Sequence, residues 1–266
     1  MTQETKNKES KSSETTAILK ETAYIAASNA FCTLGNFPLE TVKNKKQDEP
    51  KRSYVSIVKS LYEKGGQKRF YKGYASYMAR NTTGCFVGTG AMVASIHATK
   101  DSDEPIYSKM AKASLAEGLA ESSLFFPFEV PEKKEIFKSK NQHNQHKLFT
   151  KEIIQKGVNA VGFAATRNVI FGAGIVIPYM MDSSKEVSFA SGMAAGLISL
   201  PFDVATTKAF TDNTNPIQTM SNMLKANKRL ALAGGAIRGV QIGVYSLATN
   251  LALHYNESQK QQSIGR

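Results

Sequence analysis

The chain has 266 residues, of which 34 are Lys or Arg and 22 are Asp or Glu, so its formal net charge is +12. Two cysteines exclude a disulfide framework and a thiolate zinc cluster, and four histidines without acidic residues at ligand spacing predict no metal site. The basic balance predicts an anionic partner, which is a nucleic acid, a phospholipid surface or an anionic small molecule.

Residues 1–16 are polar and of mixed charge, which predicts a disordered tail with neither a secretory signal nor a mitochondrial presequence. Six windows with few or no charged residues follow, and their lengths of 16 to 25 residues lie close to the roughly 17–25 residues of a membrane-spanning helix. Residues 257–266 predict a second polar tail. The windows are 22–39, 81–99, 113–128, 157–181, 187–202 and 239–256.

The windows do not by themselves separate a membrane protein from a soluble one. The mean hydropathy of the chain is −0.29, and Glu117, Glu121 and Arg167 interrupt the windows. A charged residue at the centre of a membrane helix costs about 2.5–3.5 kcal/mol on insertion. Because a soluble helical bundle would use the same small residues for close packing, both alternatives stay open at this level.

An internal repeat relates three parts of the chain, which span 17–100, 106–183 and 184–256. In each part an acid stands two residues after a proline, and an arginine follows the proline after 37 to 42 residues. Two small or short polar residues precede each proline by nine and five positions, so they share a helix face that a neighbouring backbone can approach closely. The prolines and acids are Pro38/Glu40, Pro127/Glu129 and Pro201/Asp203, the arginines are Arg80, Arg167 and Arg238, and the small residues are Asn29/Thr33, Gly118/Ser122 and Gly192/Gly196.

The first repeat carries the fullest motif. Residues 38–43 read Pro-Leu-Glu-Thr-Val-Lys, and residues 66–73 read Gly-Gln-Lys-Arg-Phe-Tyr-Lys-Gly. In these features the chain resembles the mitochondrial carrier family of solute transporters, whose signature P-x-[DE]-x-x-[KR] is followed in many members by G-x-x-x-x-[WYF]-[KR]-G. The resemblance spans about residues 16–256. The other two repeats depart from the signature, because Glu132 and Thr206 stand at the basic position.

The resemblance implies an all-α membrane protein with six tilted transmembrane helices in three two-helix repeats, short helices between them and a pseudo-threefold axis. It further implies a monomer that transports an anionic metabolite by alternating access across the mitochondrial inner membrane, without covalent chemistry, so that the protein is not an enzyme. No cofactor is expected apart from bound cardiolipin. This lipid is expected at Lys72 and Gly73, where a lysine beside the free amides of a helix N-terminus suits a phosphate.

A gate on the matrix side is implied by the same resemblance. A proline inside a helix removes a hydrogen bond and kinks the axis, so three kinks would tilt three helices towards the centre. There the acids would pair with basic residues of neighbouring repeats, and Lys43 would pair with an acid of the next repeat. The residues of this gate are Pro38, Glu40, Lys43, Pro127, Glu129, Pro201 and Asp203.

The gate on the opposite side lacks its family motif, [FY]-[DE]-x-x-[KR], because residues 92–96, 179–182 and 249–253 do not contain it. Apolar contacts or polar residues such as Asn250 are expected to replace the missing ion pairs. Such a gate would be held shut less tightly, which favours a leaky exchanger or a uniporter.

Arg80, Arg167 and Arg238 are expected to bind the substrate. Each arginine is followed by 14 to 19 apolar or neutral residues and would be costly in lipid, so it is expected to face a water-filled cavity. Three planar guanidinium groups suit a polyanion, although each could instead reach a lipid phosphate at a helix end. The resemblance places a substrate-discriminating pair at Arg167 and Asn168, a pair typical of carboxylate carriers. Residues 237–239 are instead similar to the sixth helix of ADP/ATP carriers. A nucleotide such as ATP or ADP is favoured, and a di- or tricarboxylate or a keto acid is the alternative.

The third window contains two acids, Glu117 and Glu121. Because they are four residues apart, they share one face of the helix, which we expect to line the cavity.

Other functional classes find less support in the sequence. A carrier-fold membrane protein that has lost transport remains an alternative, because gate residues are missing. A soluble enzyme would need a phosphate-binding glycine loop, a nucleophile elbow or a metal-ligand cluster, and none is recognisable. The lysines are scattered over connecting segments without a nucleic-acid-binding module. Spans this marginal are also similar to those of nucleotide carriers that some intracellular bacteria deliver to host mitochondria, in which case the membrane would belong to a host cell.

Overall fold

The computed structural model describes residues 3–124, 129, 151–211, 215–226 and 233–264, and the structural statements that follow concern these residues. Within them the chain forms helices and no strands, so the predicted all-α class is confirmed. Six of the helices are long and two are short. The helices are α1 (Gln3–Asp48), α2 (Tyr54–Glu63), a 3-10 helix (Gly66–Arg69), α3 (Tyr74–Thr99), α4 (Ile106–Ser122), α5 (Lys151–Met180), α6 (Lys185–Thr211), α7 (Pro216–Ala226) and α8 (Gly235–Ile264).

The six long helices contact one another in a closed ring. Each of α1, α3, α4, α5 and α6 contacts the next long helix along the chain, and α8 contacts both α6 and α1. In this ring α4 lies opposite α8, and α1 lies opposite α5. The six charge-poor windows fall on these helices as far as the structure describes them. The short helices α2 and α7 follow α1 and α6, which are the first helices of two of the repeats.

Two helical segments in the described ranges are long and apolar enough to cross a membrane. They are Ala160–Met180 in α5 and Lys185–Lys208 in α6. Length and composition of this kind are also found in the core helices of soluble proteins. The six-span prediction is therefore met by these criteria for two helices only.

Both chain ends differ from the predicted disordered tails. The backbone of α1 is helical from Gln3 onwards, and that of α8 remains helical as far as Ile264. The reason lies in composition, because residues 3–16 contain no glycine or proline and are rich in Glu and Lys, while residues 257–263 contain Glu, Lys and three glutamines. These residues have favourable helix propensities, so charge alone does not prevent a helix from continuing.

The prolines of the repeat lie inside long helices where the structure describes them. Pro38 is within α1 and Pro201 is within α6. Each is followed by further helical turns that carry the acid of its repeat, Glu40 or Asp203. Pro127, the third predicted member, lies outside the described residues.

Many polar side chains are buried between the helices, while large apolar side chains are exposed. Lys43, Asn44 and Gln47 of α1 are each at most 1% exposed. In contrast, Phe31 of α1 is 78% exposed and Ile198 of α6 is 63% exposed. Buried polar groups thus lie between the helices, while several large apolar side chains face outwards.

The predicted close approach of helices at small residues is confirmed in the second and third repeats. A Cβ atom at Gly118 of α4 would lie 2.4 Å from the backbone nitrogen of Val169 in α5, and one at Gly192 of α6 would lie 2.6 Å from the carbonyl oxygen of Ile242 in α8. In the first repeat the same positions hold polar residues instead, and Asn29 donates a hydrogen bond to Thr249 of α8. Helix α1 is thus joined to its neighbour by side-chain hydrogen bonds.

We expect Gly118→Ala to lower the free energy of unfolding by about 3 kcal/mol, because the added methyl group meets backbone atoms that cannot move aside locally. The matched control is Gly162→Ala in α5, where a Cβ would contact nothing within 4 Å. That change should stabilise the protein by about 0.5–1 kcal/mol through helix propensity. Thermal unfolding of the detergent-solubilised protein measures both. Equal melting temperatures for the two variants would contradict the close packing of α4 against α5.

Candidate functional site

A cavity lies within the ring and is lined by residues of α1, α3, α4, α5 and α8. The space between the lining residues amounts to about 620 Å³, which includes space that is open to solvent. The charged residues that line it are Arg80, Arg167, Arg238, Glu117 and Glu121. The structure thus brings the three repeat arginines together in one cavity, and both acids of α4 also line it.

A network of buried charges lies beside this cavity, and its first part joins α1 to α6. The ammonium nitrogen of Lys43 lies 2.9 Å from Oε1 of Glu40 and 2.9 Å from Oδ2 of Asp203. Gln47, one turn after Lys43, donates a hydrogen bond of 2.8 Å to the same oxygen of Asp203 and accepts one of 2.8 Å from Thr207. The carboxylate of Asp203 therefore holds two residues of α1 against α6.

The second part of the network is centred on Arg167 of α5. Its guanidinium group donates two hydrogen bonds to Glu129, of 2.6 and 2.8 Å, and a third of 3.2 Å to Oδ1 of Asp203. Arg80 of α3 approaches the other side of Glu129, with 3.7 Å between Nη1 and Oε2. Bidentate arginine–carboxylate pairs are stronger and more directional than single contacts. Arg167 thereby connects the acids of the second and third repeats.

The predicted gate acids are therefore joined in one buried network, which alternates acids and bases in the order Glu40, Lys43, Asp203, Arg167, Glu129 and Arg80. The partner of Lys43 differs from the expected one, since Asp203 belongs to the third repeat and not to the second. Glu129 of the second repeat is occupied instead by two arginines. Arg80 and Arg167 thus supply positive charge to the network. The basic positions of the signature do not supply it in the second and third repeats, because they hold Glu132 and Thr206.

Arg167 has contacts beyond the predicted substrate-binding role, which stays a prediction. It lines the cavity as expected, but its guanidinium group is 3% exposed and is occupied by the two acids of the network. Its neighbour Asn168 accepts a 2.9 Å hydrogen bond from Nε of Arg167 and donates one of 3.3 Å to Ser122. The pair that the sequence assigns to substrate discrimination thus contributes to closing one end of the cavity.

Arg238 differs from the other two arginines. It lies in the first turn of α8 and lines the cavity, yet no carboxylate of the described residues is within ion-pair distance of it. Its Nε is buried and has no hydrogen-bond partner. An unpaired guanidinium beside a cavity is the group best placed to receive an acidic ligand.

The opposite end of the ring contains packed apolar side chains from the stretches that lack the family motif. One buried cluster includes residues from all three stretches that lack the family motif, and its members there are Met92, Val93, Ile96, Tyr179, Met180, Ala252 and Leu253. Asn250 takes part through its backbone contacts, since its side-chain nitrogen donates to the carbonyl oxygens of Ile175 and Ser246. This end is therefore held mainly by apolar packing, together with a 3.2 Å contact between Nε2 of His97 and Oε2 of the buried Glu21.

Sequence patterns did not identify two pairs of residues that lie in the charged network or in the cavity wall. Gln47 and Thr207 stabilise the charged network through their hydrogen bonds. The position of Gln47, one turn after Lys43, is the sequence feature that could have identified it. Tyr245 of α8 accepts a 2.8 Å hydrogen bond from Asn81 of α3 in the cavity wall. No spacing in the sequence pairs those two residues, because the contact joins helices of different repeats.

The remaining predicted residues lie outside the cavity. Gly73 caps the N-terminus of α3 with a φ of 86°, a left-handed conformation that favours glycine, and Lys72 precedes it. This geometry explains the glycine by local conformation, and binding of a lipid there stays a prediction. Among the residues that the structure describes, no group of three or more His, Cys, Asp or Glu side chains could hold a metal ion.

The sequence matches no protein-family model, and no curated protein is significantly similar to it. The carrier resemblance accordingly depends on the motifs of this chain and on the arrangement of the residues described above.

Proposed function

We propose that this protein is a carrier that moves a small metabolite with an acidic group across a membrane by alternating access. The observation that carries the proposal is the combination of a buried charge network at one end of a cavity with an unpaired arginine, Arg238, inside it. The network supplies a gate that closes one side. The arginine supplies a binding point between the two ends.

The exposed apolar side chains and the two apolar helical segments support a membrane location. Six spans, arranged as three two-helix repeats with a pseudo-threefold axis, form the proposed architecture, with the ring of long helices as its support. The membrane we propose is the mitochondrial inner membrane, that of a host cell if an intracellular bacterium delivers the protein. The monomer would be surrounded by lipids, with cardiolipin at Lys72 and Gly73.

The two ends of the cavity would open by different physical processes. Opening the charged end separates Lys43 from Asp203 and Arg167 from Glu129, whose charges must then be hydrated or bound by the substrate. Opening the other end exposes packed apolar side chains to water. A state change without substrate is easier at an end held mainly by apolar packing, which favours a uniporter or a leaky exchanger.

Nucleotides such as ATP and ADP are the first substrates to test, and di- or tricarboxylates and keto acids are the second class. A carrier-fold protein without transport is the alternative function. The absence of a basic residue at the signature positions of the second and third repeats favours that alternative. Arg167 and Arg80 neutralise the acids in their place, which weakens the argument for it.

Uptake into liposomes tests the proposal. Purified full-length protein is reconstituted, and uptake of labelled ATP, ADP, malate and oxoglutarate is measured against protein-free liposomes. We expect saturable uptake of one class, including uptake into vesicles that contain no counter-substrate. No uptake of any acid by correctly inserted protein would overturn the proposal. Uptake strictly dependent on an internal substrate would retain the carrier and exclude the leaky mode.

A further inference from the structure

The carboxylates of Glu117 and Glu121 give the cavity a second binding feature that the charge network does not use. Six residues of the network contribute three acids and three bases, which neutralise one another. The charged residues of the cavity wall that remain outside it are Arg238, Glu117 and Glu121. An acidic ligand alone would pair with Arg238 and would leave Oε2 of Glu117 without a hydrogen-bond donor.

Of the two acids, Glu117 gives the stronger evidence for a ligand. Its residue is 5% exposed, it lines the cavity, and its Oε2 is buried without a hydrogen-bond partner. A buried carboxylate oxygen without a donor is unfavourable by several kcal/mol, so a donor is expected from whatever occupies the cavity. Glu121 lies one turn further along the same helix face and lines the same cavity.

The neighbouring helices leave room for both carboxyl groups. A Cβ at Gly172 of α5 would lie 2.8 Å from Oε2 of Glu117, and one at Gly84 of α3 would lie 3.5 Å from Cγ of Glu121. A side chain at Gly172 would therefore displace the carboxylate of Glu117. Because these two positions are glycines, the side chains of Glu117 and Glu121 fit between α4 and its neighbours α3 and α5.

The position of this wall relative to Arg238 decides what kind of ligand fits. In the ring of long helices α4 lies opposite α8, so the carboxylates and the free guanidinium group line opposite sides of the cavity. A ligand that reaches both sides must carry an acidic group at one end and a positively charged donor at the other. A protonated amine has three N–H donors and no acceptor, and so can serve two carboxylates at once.

We infer that the substrate is a zwitterion of the amino-acid class, with its carboxylate bound by Arg238 and its protonated amine bound by Glu117 and Glu121. This inference rests on the proposed function, since it specifies the substrate of the same cavity. A metal ion fits the two acids less well, because no third acidic, thiol or imidazole group among the described residues joins them.

The test compares acids that differ only by an amine. Aspartate with succinate, and glutamate with glutarate, are measured for thermal stabilisation of the full-length protein in detergent and for uptake into liposomes. We expect the amino member of each pair to bind about tenfold or more tightly than its partner. A site built for polyanions requires the reverse order, because succinate and glutarate each carry one more net negative charge.

The double variant Glu117→Gln/Glu121→Gln should reduce this preference to about one, since the amides keep the size of the side chains and remove their charge. Glu63→Gln/Glu186→Gln is the matched control, because it removes two acids from the exposed surface. The control should keep the wild-type preference. The comparison within each pair uses the wild-type chain, so it does not depend on the folding of any variant.

The outcomes separate the two proposals. Equal or tighter binding of succinate and glutarate, or binding of nucleotides alone, would overturn the zwitterion inference and leave the carrier proposal standing. A preference for the amine that persists in Glu117→Gln/Glu121→Gln would show that another group binds it and would also overturn the inference. If no compound of either class binds or enters liposomes, both proposals fail.

Discussion

Replacing Arg167 with glutamine is expected to lower the free energy of unfolding by about 3–5 kcal/mol. The change removes the three hydrogen bonds that Arg167 donates to acids, two to Glu129 and one to Asp203, and also its bond to Asn168. Both carboxylates are buried, so each keeps its desolvation penalty after its partner has gone. Thermal unfolding of the purified protein in detergent measures the loss.

The control for this change is Arg52→Gln. Arg52 pairs with Glu49, and both side chains are 37% exposed, so the loss should stay below about 1 kcal/mol. The double variant Arg167→Gln/Glu129→Gln should recover part of the stability, because it also removes one of the charges left without a partner. If Arg167→Gln and Arg52→Gln destabilise the protein equally, the buried network does not hold the helices together.

The first and second helices of the repeats contribute different residues to the charged network. Glu40, Lys43 and Asp203 lie on α1 and α6, the first helices of two repeats, whereas α3 and α5, the second helices of the first two repeats, contribute Arg80 and Arg167 to the same network. Arg167 both lines the cavity and holds Glu129 and Asp203. Under the proposed function, a substrate that competes for Arg167 would weaken the proposed gate, and this would couple binding to opening.

Much of the architecture could be predicted from the sequence, because it depends on local patterns. Charge-poor windows mark the long helices, and the repeated small residues mark where helices approach one another closely. The helical ends of the chain could not be predicted in this way. Polar composition predicts solvation, but it does not distinguish a helix from a disordered tail when Gly and Pro are absent.

The site was predictable only in part, since its contacts join residues far apart in the chain. The three acids and Lys43 follow from the repeat. The ion pairs of Arg167 with Glu129 and Asp203 do not follow from the repeat. The position of an arginine in an apolar window is equally compatible with a residue that binds substrate and with one that forms an ion pair. Only the packing of α5 against α6 decides between them.

Replacing Arg238 with alanine is expected to remove binding of the acidic substrate while leaving stability close to that of the wild type. A charge-assisted bond to a buried acid is worth enough for about a hundredfold loss of affinity. The fold should persist because no ion pair of the described chain depends on this guanidinium group. Initial uptake rates and melting temperatures, measured on the same preparations, give both quantities.

Two further variants sharpen this measurement. Arg69→Ala removes an arginine from the 3-10 helix, outside the cavity, and should leave uptake unchanged. Arg238→Lys keeps the charge but not the planar fork, so we expect an intermediate affinity. Normal uptake by Arg238→Ala would place the acidic group of the substrate elsewhere. A melting temperature that falls as far as in Arg167→Gln would make Arg238 a structural residue. Loss of uptake at an unchanged melting temperature would separate the residue that binds from the residue that closes the gate.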